Sequence, residues 1–245
     1  MTIQSHCFAV VVSMAVIALA RAPGQQSEVR AEGVDLKQIR EVIEQAADEL
    51  NRFRVSGGKA GAATDPARMS ADYLWRYREQ HVGTPAAALA TRAAIHFLQV
   101  ANQDGQVMSL AERLPSDDPA WDGVISDMRA SARKMGDSER LVRKAKFLLQ
   151  EVRDNRVRAS IQVHMARSYL DLNQPAEAER AFREAQREAP NSNTAREAEG
   201  FLYELTNLAV GQSAPQFESR TVDGALIRSA DLKGKVVLLN FWATW

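Results

Sequence analysis

The chain has one cysteine in 245 residues, Cys7, so no internal disulfide can hold it together and no reaction needing two thiols can run within it. Histidine is also scarce, with four residues, one of them His6 near the start. His81, His96 and His164 lie far apart, with no H-E-x-x-H or paired ligand spacing, so they are expected to be ordinary helix residues and no metal is expected. No G-x-S-x-G, Walker A or dinucleotide fingerprint occurs, and no cofactor is expected. Neither sign of charge dominates: 31 Lys plus Arg face 31 Asp plus Glu. A broad positive field is therefore lacking, and nucleic acid is excluded as an expected partner. Local basic runs such as Arg140 to Lys146 are expected to be solvated helix faces. Asp117-Asp118 before Pro119 reads as a turn and helix start, not a catalytic carboxylate pair.

Long apolar runs are also lacking. The longest near the start, Phe8 to Ala20, is too short for a comfortable membrane span but has the length of a secretory h-region. Ala20-Arg21-Ala22 supplies an A-x-A pattern, so residues 1–22 are expected to be a signal peptide cleaved after Ala22. Met1 to His6 contains no Lys or Arg, and the alternative is an uncleaved amphipathic anchor. Cys7 precedes the apolar run, which is the wrong side for a lipobox. Export to a periplasm or cell envelope is the expected location, with residues 23–33 as a mobile linker.

What is present is 45% apolar and 25% charged residues, an ordinary globular composition. From 34 to 209 the pattern is helical. Leu36, Ile39, Val42, Ile43, Ala46, Leu50 and Phe53 form one stripe at spacings of three and four. Ser56 to Pro66, rich in Gly and Ala, reads as a mobile connection. Helices are predicted over 67–81, 85–102, 106–114, 119–135 and 138–152, the last burying Leu141, Ala145, Leu148 and Val152. Tyr73, Trp75 and Tyr77 are expected to pack in the core.

A repeat comes next. With Ala159 as the first position of a 34-residue unit, Ala166, Tyr169, Ala178, Phe182, Ala185 and Pro190 fall at positions eight, eleven, twenty, twenty-four, twenty-seven and thirty-two. This resembles a tetratricopeptide repeat over 159–192. Small residues would permit close helix crossing, Tyr169 and Phe182 would fill the space between helices, and Pro190 would end the second helix. Gln162 and Met165 depart from the large residues usual there, which puts a standard binding groove in doubt. Gly200 and Tyr203 fall at the next equivalents of Ala166 and Tyr169, so a second repeat begins. It passes directly into Val210-Gly211, and 194–208 is expected to be a capping helix.

The last 36 residues change character. Asp223-Gly224 between Arg220-Thr221-Val222 and Ala225-Leu226-Ile227 predicts a tight hairpin. Val236 to Trp242, β-branched and aromatic after Gly234, predicts a strand covered on both faces. Gly211, Ala214-Pro215, Phe217, Asp223-Gly224, Leu232, Gly234-Lys235 and Phe241-Trp242-Ala243-Thr244-Trp245 together resemble the opening of the thioredoxin-like domain of the TlpA/ResA group of thiol-disulfide oxidoreductases, relatives of the AhpC/TSA redoxins. The fold class expected is mainly α: a tetratricopeptide-like repeat or bundle domain, then the first strands of an incomplete α/β thioredoxin-like domain at 210–245.

The resemblance implies a Cys-x-x-Cys pair immediately beyond Trp245, at a helix start that favours thiolate. It implies that Trp242, Thr244 and Trp245 flank the redox site, and that the catalytic cysteines lie outside this chain. The chain itself is expected to be inactive and a truncated record of a longer parent. That parent would act on protein disulfides or a thiol electron donor. Two alternatives differ in class: an exported tetratricopeptide-like protein-binding module with a non-catalytic redoxin remnant and a peptide partner, or an AhpC/TSA-type peroxidase.

Overall fold

A computed structural model describes residues 32–57, 65–240 and 242. The expected signal peptide, linker, Cys7 and most of the Ser56 to Pro66 connection lie outside them. The fold is mainly α, and the chain divides into two compact units, residues 1–199 and 200–245. Nine helices are described: α1 Glu32–Val55, α2 Pro66–Gln80, α3 Pro85–Val100, α4 Asp104–Arg113, α5 Trp121–Lys134, α6 Ser138–Glu151, α7 Asn155–Asp171, α8 Pro175–Glu188 and α9 Asn193–Asn207. Among the described residues no helix is long and apolar enough to cross a membrane.

Local chemistry sets the helix starts. Asp65, Thr84, Asp137 and Asp154 each accept a hydrogen bond from a first-turn backbone N–H, of Ala67, Ala87, Arg140 and Arg156 respectively. Pro66, Pro85 and Pro175 stand at first helical positions, where a missing N–H costs nothing. Helix α8 stops at Glu188, two residues before Pro190, because a residue preceding proline is pushed out of the α region.

Three turns share one construction. Helices α3, α5 and α7 end in a left-handed residue, Asn102 (φ 55°), Gly136 (φ 69°) and Asn173 (φ 56°). Each turn is closed by a bond from the following N–H back to the last helical turn: Gln103 to Leu98 O at 2.9 Å, Asp137 to Ala132 O at 2.9 Å and Gln174 to Tyr169 O at 2.8 Å. This is the Schellman closure, and Asn or Gly fills it because both tolerate positive φ. The left-handed residues lie 34 and then 37 positions apart, so the three hairpins α3/α4, α5/α6 and α7/α8 recur at a near-constant period.

The hairpins stack in two layers. Helix α1 packs on α3, α3 on α5 and α5 on α7, while α2, α4 and α6 each pack against the odd-numbered helices on either side and α8 against α7. The predicted stripe on α1 is buried at Ile39, Ile43, Ala46 and Leu50, joined by Ala47. Leu141, Ala145, Leu148 and Val152 are buried as expected. The core is rich in alanine, which lets helix axes approach closely, with Trp121, Phe97 and Phe182 as its largest fully buried side chains. The aromatic expectation on α2 is met only in part, with Trp75 and Tyr77 half-buried. Ala67, Ala71 and Leu74 make its buried face, while Tyr73 is exposed and Trp75 turns outward to donate its Nε1–H to Glu79 at 3.0 Å. Small residues win that face because α2 lies close against α3.

The unit from Gly200 contains an exposed antiparallel hairpin, β1 Glu218–Arg220 and β2 Leu226–Arg228, in register Glu218 with Arg228 and Arg220 with Leu226. Its turn differs from the tight two-residue form. Gly224 N–H bonds Thr221 O at 2.9 Å, Thr221 N–H bonds Ala225 O at 2.8 Å, and only Gly224 adopts positive φ, at 88°. That is a three-residue loop with glycine at the left-handed position, so Asp223 needs no unusual conformation. A short 3₁₀ turn, Ser229–Leu232, follows.

The strand expected over Val236 to Trp242 is not formed. Val236 to Asn240 carry no ladder, and no described residue pairs with them. A strand exists only where another supplies the facing N–H and C=O groups, so residue preference alone cannot make one. Leu238 is 92% exposed and Trp242 80% exposed. Such a run is a template for edge association. Removal of Val236 to Trp245 should raise solubility and leave helical circular dichroism nearly unchanged; unaltered aggregation would show that the run is protected. In the helical unit, Phe182→Ala should cost about 3–5 kcal/mol in denaturant unfolding, and a loss below about 1 kcal/mol would mean the α7/α8 hairpin is not held by its aromatic wedge.

Candidate functional site

The six repeat-pattern residues meet in one hairpin. Ala166, Ala178, Phe182 and Ala185 are fully buried between α7 and α8, Tyr169 is buried nearly as deeply, and Pro190 is exposed past the end of α8. Gln162 and Met165, the two departures, are also buried. The next equivalents behave differently. Nothing lies within 4 Å of a Cβ built at Gly200, and Tyr203 is 50% exposed, so the packing around Ala166 and Tyr169 is not reproduced there. On α9 the covered residues are instead Ala195, Ala198 and Leu202. Of the residues expected to flank a redox site, Trp242 is exposed, whereas Thr244 and Trp245 lie outside the described residues.

A different set of side chains is brought together by the odd-numbered helices. Each is covered on most of its circumference. On α3 the positions left partly open between its end residues are Ala88, Arg92, His96 and Gln99, spaced four, four and three apart. On α7, from Ser160 onward, they are Ser160, His164, Arg167, Leu170 and Asp171. These stripes bond across the helices and form one polar face. Arg92 on α3 pairs with Asp122 on α5 at 3.5 Å. His96 Nδ1 donates to Asp127 at 3.2 Å. Arg129 Nη2 meets Asp171 on α7 at 2.8 Å, and Arg133 Nε approaches the same carboxylate at 3.6 Å. Arg167 pairs with Glu197 at the start of α9 at 3.5 Å.

Charge on this face is unevenly spread. Burial lowers the pKa of Arg92 and of Arg129, and for Arg129 the neighbouring Arg167 and Arg133 lower it further against the opposing pull of Asp171. His164 lies within reach of the charges of Arg167 and Arg129. Burial, with the charges of Arg167 and Arg129, pushes its imidazole down to about 3, so the ring is neutral. Its Nδ1 is buried without a hydrogen-bond partner, as are Arg129 Nε and His96 Nε2.

Elsewhere the polar groups do structural work. His81 stacks on Tyr77 with ring centroids 4.0 Å apart and donates through Nδ1 to Tyr77 O at 2.8 Å. Asp118 accepts from Ala120 N–H and from Arg78, as expected for a helix start. A recess of about 470 Å³ opens beside it, lined by Asp117, Asp122, Glu151, Arg153 and Asp154, but Asp154 caps α7 and Asp122 serves Arg92. The basic run on α6 is solvated at Arg143 and Lys146, whereas Arg140 makes a two-pronged contact with Glu112 at 2.5 and 2.6 Å and Lys144 lies over the Trp121 ring at 5.1 Å. Among the described residues no group of three or more His, Cys, Asp or Glu could hold a metal ion.

Sequence reasoning passes over the polar face. The signal is there: Pro85 to Val100 is almost wholly apolar, and Arg92 and His96 interrupt it four residues apart. Reading His96 and His164 as ordinary helix residues misses that both fall on the open stripe.

His164 makes this face pH-sensitive. Its folded pKa lies below the ordinary histidine value, so between about pH 3 and 6.5 the unfolded chain binds more protons than the folded one. Stability is therefore complete above the unfolded pKa and is lost as pH falls toward the folded one. At about pH 4.5 the wild type should have lost on the order of 2 kcal/mol relative to pH 7 that His164→Gln does not lose. Parallel denaturant curves from pH 7 to 4 in the two proteins test this, and identical pH profiles would place His164 in water.

The chain resembles known redox proteins over a short stretch. It is 43% identical over 47 residues to the thiol-disulfide oxidoreductase ResA of Bacillus anthracis, covering 19% of this chain and 27% of that protein. It is 47% identical over 45 residues to ResA of Geobacillus thermodenitrificans, covering 18% and 26%. It is 57% identical over 35 residues to the thioredoxin-like protein YneN of Bacillus subtilis, covering 14% and 21%. The chain thus spans about a quarter of the length of the curated relatives it matches. No protein-family profile matches it, and no solved structure does. These matches support a thioredoxin-like relationship.

Proposed function

We propose that the whole protein is an exported thiol-disulfide oxidoreductase of the TlpA/ResA type, with the helical array positioning its redox domain against partners. One observation carries the reading: the residues Gly211, Ala214-Pro215, Phe217, Asp223-Gly224, Gly234-Lys235 and Phe241-Trp242 follow the family order, and the named relatives are thiol-disulfide oxidoreductases and a thioredoxin-like protein. The chemistry requires a thiolate to open a disulfide and a second thiol to resolve the mixed disulfide. Cys7 is the one cysteine in the sequence, so the 245-residue chain alone cannot complete that cycle. Trp242 and Trp245 would line the redox site without supplying a nucleophile.

A second reading has its own support. The polar face of the odd-numbered helices, together with left-handed turns recurring at 34 and 37 residues, supports reading the helical unit as a repeat array that would bind partners along one surface. In that reading the helical unit is an exported tetratricopeptide-like binding module and the redoxin-like segment is non-catalytic.

Intact mass and C-terminal peptide mapping of the mature protein from its native source separate the two. A mass larger by about a hundred residues, with a Cys-x-x-Cys peptide after Trp245 and turnover in a disulfide-reduction assay, is the expected result. Peroxide consumption in place of disulfide reduction would assign the peroxidase alternative. A mature chain with no second cysteine would exclude thiol catalysis and leave the binding module. An N-terminus at Pro23 would establish export by cleavage after Ala22.

A further inference from the structure

We propose that Gly200 is a hinge within α9, at which the helix bends so that the redoxin-like unit can reorient while the helical array stays folded; this rests on the proposed role of the array in positioning the redox domain. The division between the two compact units falls at Gly200, inside the continuous helix Asn193–Asn207. A glycine in a helix interior is unfavourable, because it has the most backbone freedom to lose. Two structural gains commonly offset that cost, and neither is present. Gly200 does not adopt positive φ, and nothing lies within 4 Å of a Cβ built there, so no close approach requires it. Ala166, its equivalent in the preceding repeat, is by contrast fully buried. What glycine provides at position 200 is a point where φ and ψ are least restrained.

The two halves of α9 are held differently. Before Gly200, Ser192 Oγ accepts from Ala195 N–H at 3.0 Å, Ala195 and Ala198 are covered, and Glu197 pairs with Arg167 on α7 at 3.5 Å. That half is tied to the array by directed bonds. Beyond Gly200, Leu202 is covered, Phe201 and Leu205 are half-buried, and the remaining residues to Asn207 are exposed. Apolar contact is non-directional and sets no orientation by itself. Two side-chain bonds close within this second half, Thr206 Oγ1–H to Leu202 O at 2.8 Å and Asn207 Nδ2–H to Tyr203 O at 3.0 Å. Neither reaches back across Gly200, so the last two turns are held as one piece.

Bending at one residue strains only the backbone bonds that span it. In an α-helix each N–H bonds the carbonyl four residues back, so the bonds across Gly200 run from Phe201, Leu202 and Tyr203 to Glu197, Ala198 and Glu199. Those of Glu204 and later residues lie wholly in the second half and survive the bend. A kink at glycine and a hinge that absorbs its change in φ and ψ over very few residues are established ways for packed elements to reorient without unfolding.

Residue-resolved amide hydrogen exchange on the full chain tests the hinge. Protection should dip at Phe201, Leu202 and Tyr203, below that of Ala198 and Glu199 before them and of Leu205 to Asn207 after them. Gly200→Ala should raise protection at those three amides by about two- to fivefold and leave α7 and α8 unchanged. Protection that falls steadily toward Asn207 would overturn the proposal, since that is the fraying of a helix end. Uniform protection along α9 would overturn it too, as would faster exchange in Gly200→Ala, which would reveal a packing need for glycine. The readout does not depend on thiols. A mature chain without a second cysteine would therefore remove the redox reading, whereas the exchange profile alone decides whether α9 bends at Gly200.

Discussion

The enclosure of the odd-numbered helices is the constraint on which the rest of the helical unit depends. A helix packed by neighbours on most of its circumference can carry polar side chains only along the one strip left open. On α3 and α7 that strip is a single line of residues three and four apart, and on α5 it carries the partners of both. Burial of the remaining surface requires small residues where axes approach. That is why alanine is so frequent in the core and why the few large side chains, Trp121, Phe97 and Phe182, act as wedges. The polar face is thus a by-product of packing as much as a separate feature.

Enclosure also changes the electrostatics. Guanidinium groups that would be independent in water are brought together on α5 and α7, where Arg167 and Arg133 help lower the pKa of Arg129, and Arg167 and Arg129 help lower that of His164. The left-handed turns keep this geometry. Asn102, Gly136 and Asn173 reverse the chain in the same way each time, so successive odd helices present corresponding faces to the same side. A repeat built from such turns gives a stack in which neighbours bury what one hairpin cannot.

The unit from Gly200 obeys the opposite rule. Its hairpin and the run from Val236 are exposed, and apolar residues there have no partner surface among the described residues. The pattern of glycines, Ala214-Pro215 and tryptophans is specific enough to relate this stretch to thioredoxin-like oxidoreductases. It cannot supply the thiols.

Helix positions, the apolar stripes of α1 and α6 and the end of α8 before Pro190 were legible in the amino-acid sequence because they depend on residues within a few positions of one another. The redoxin-like pattern was legible because short motifs within one stretch carry it. The outward turn of Trp75, the absence of a ladder at Val236 to Asn240, and the different surroundings of Tyr203 and Tyr169 were not. Each depends on whether a distant segment covers the residue. The polar face belongs with these. Arg129 and Asp171 are 42 positions apart in the chain, and only the stacking of α5 on α7 makes them one site. Local preference chose the elements of this protein; which side chains became neighbours was decided by how those elements buried one another.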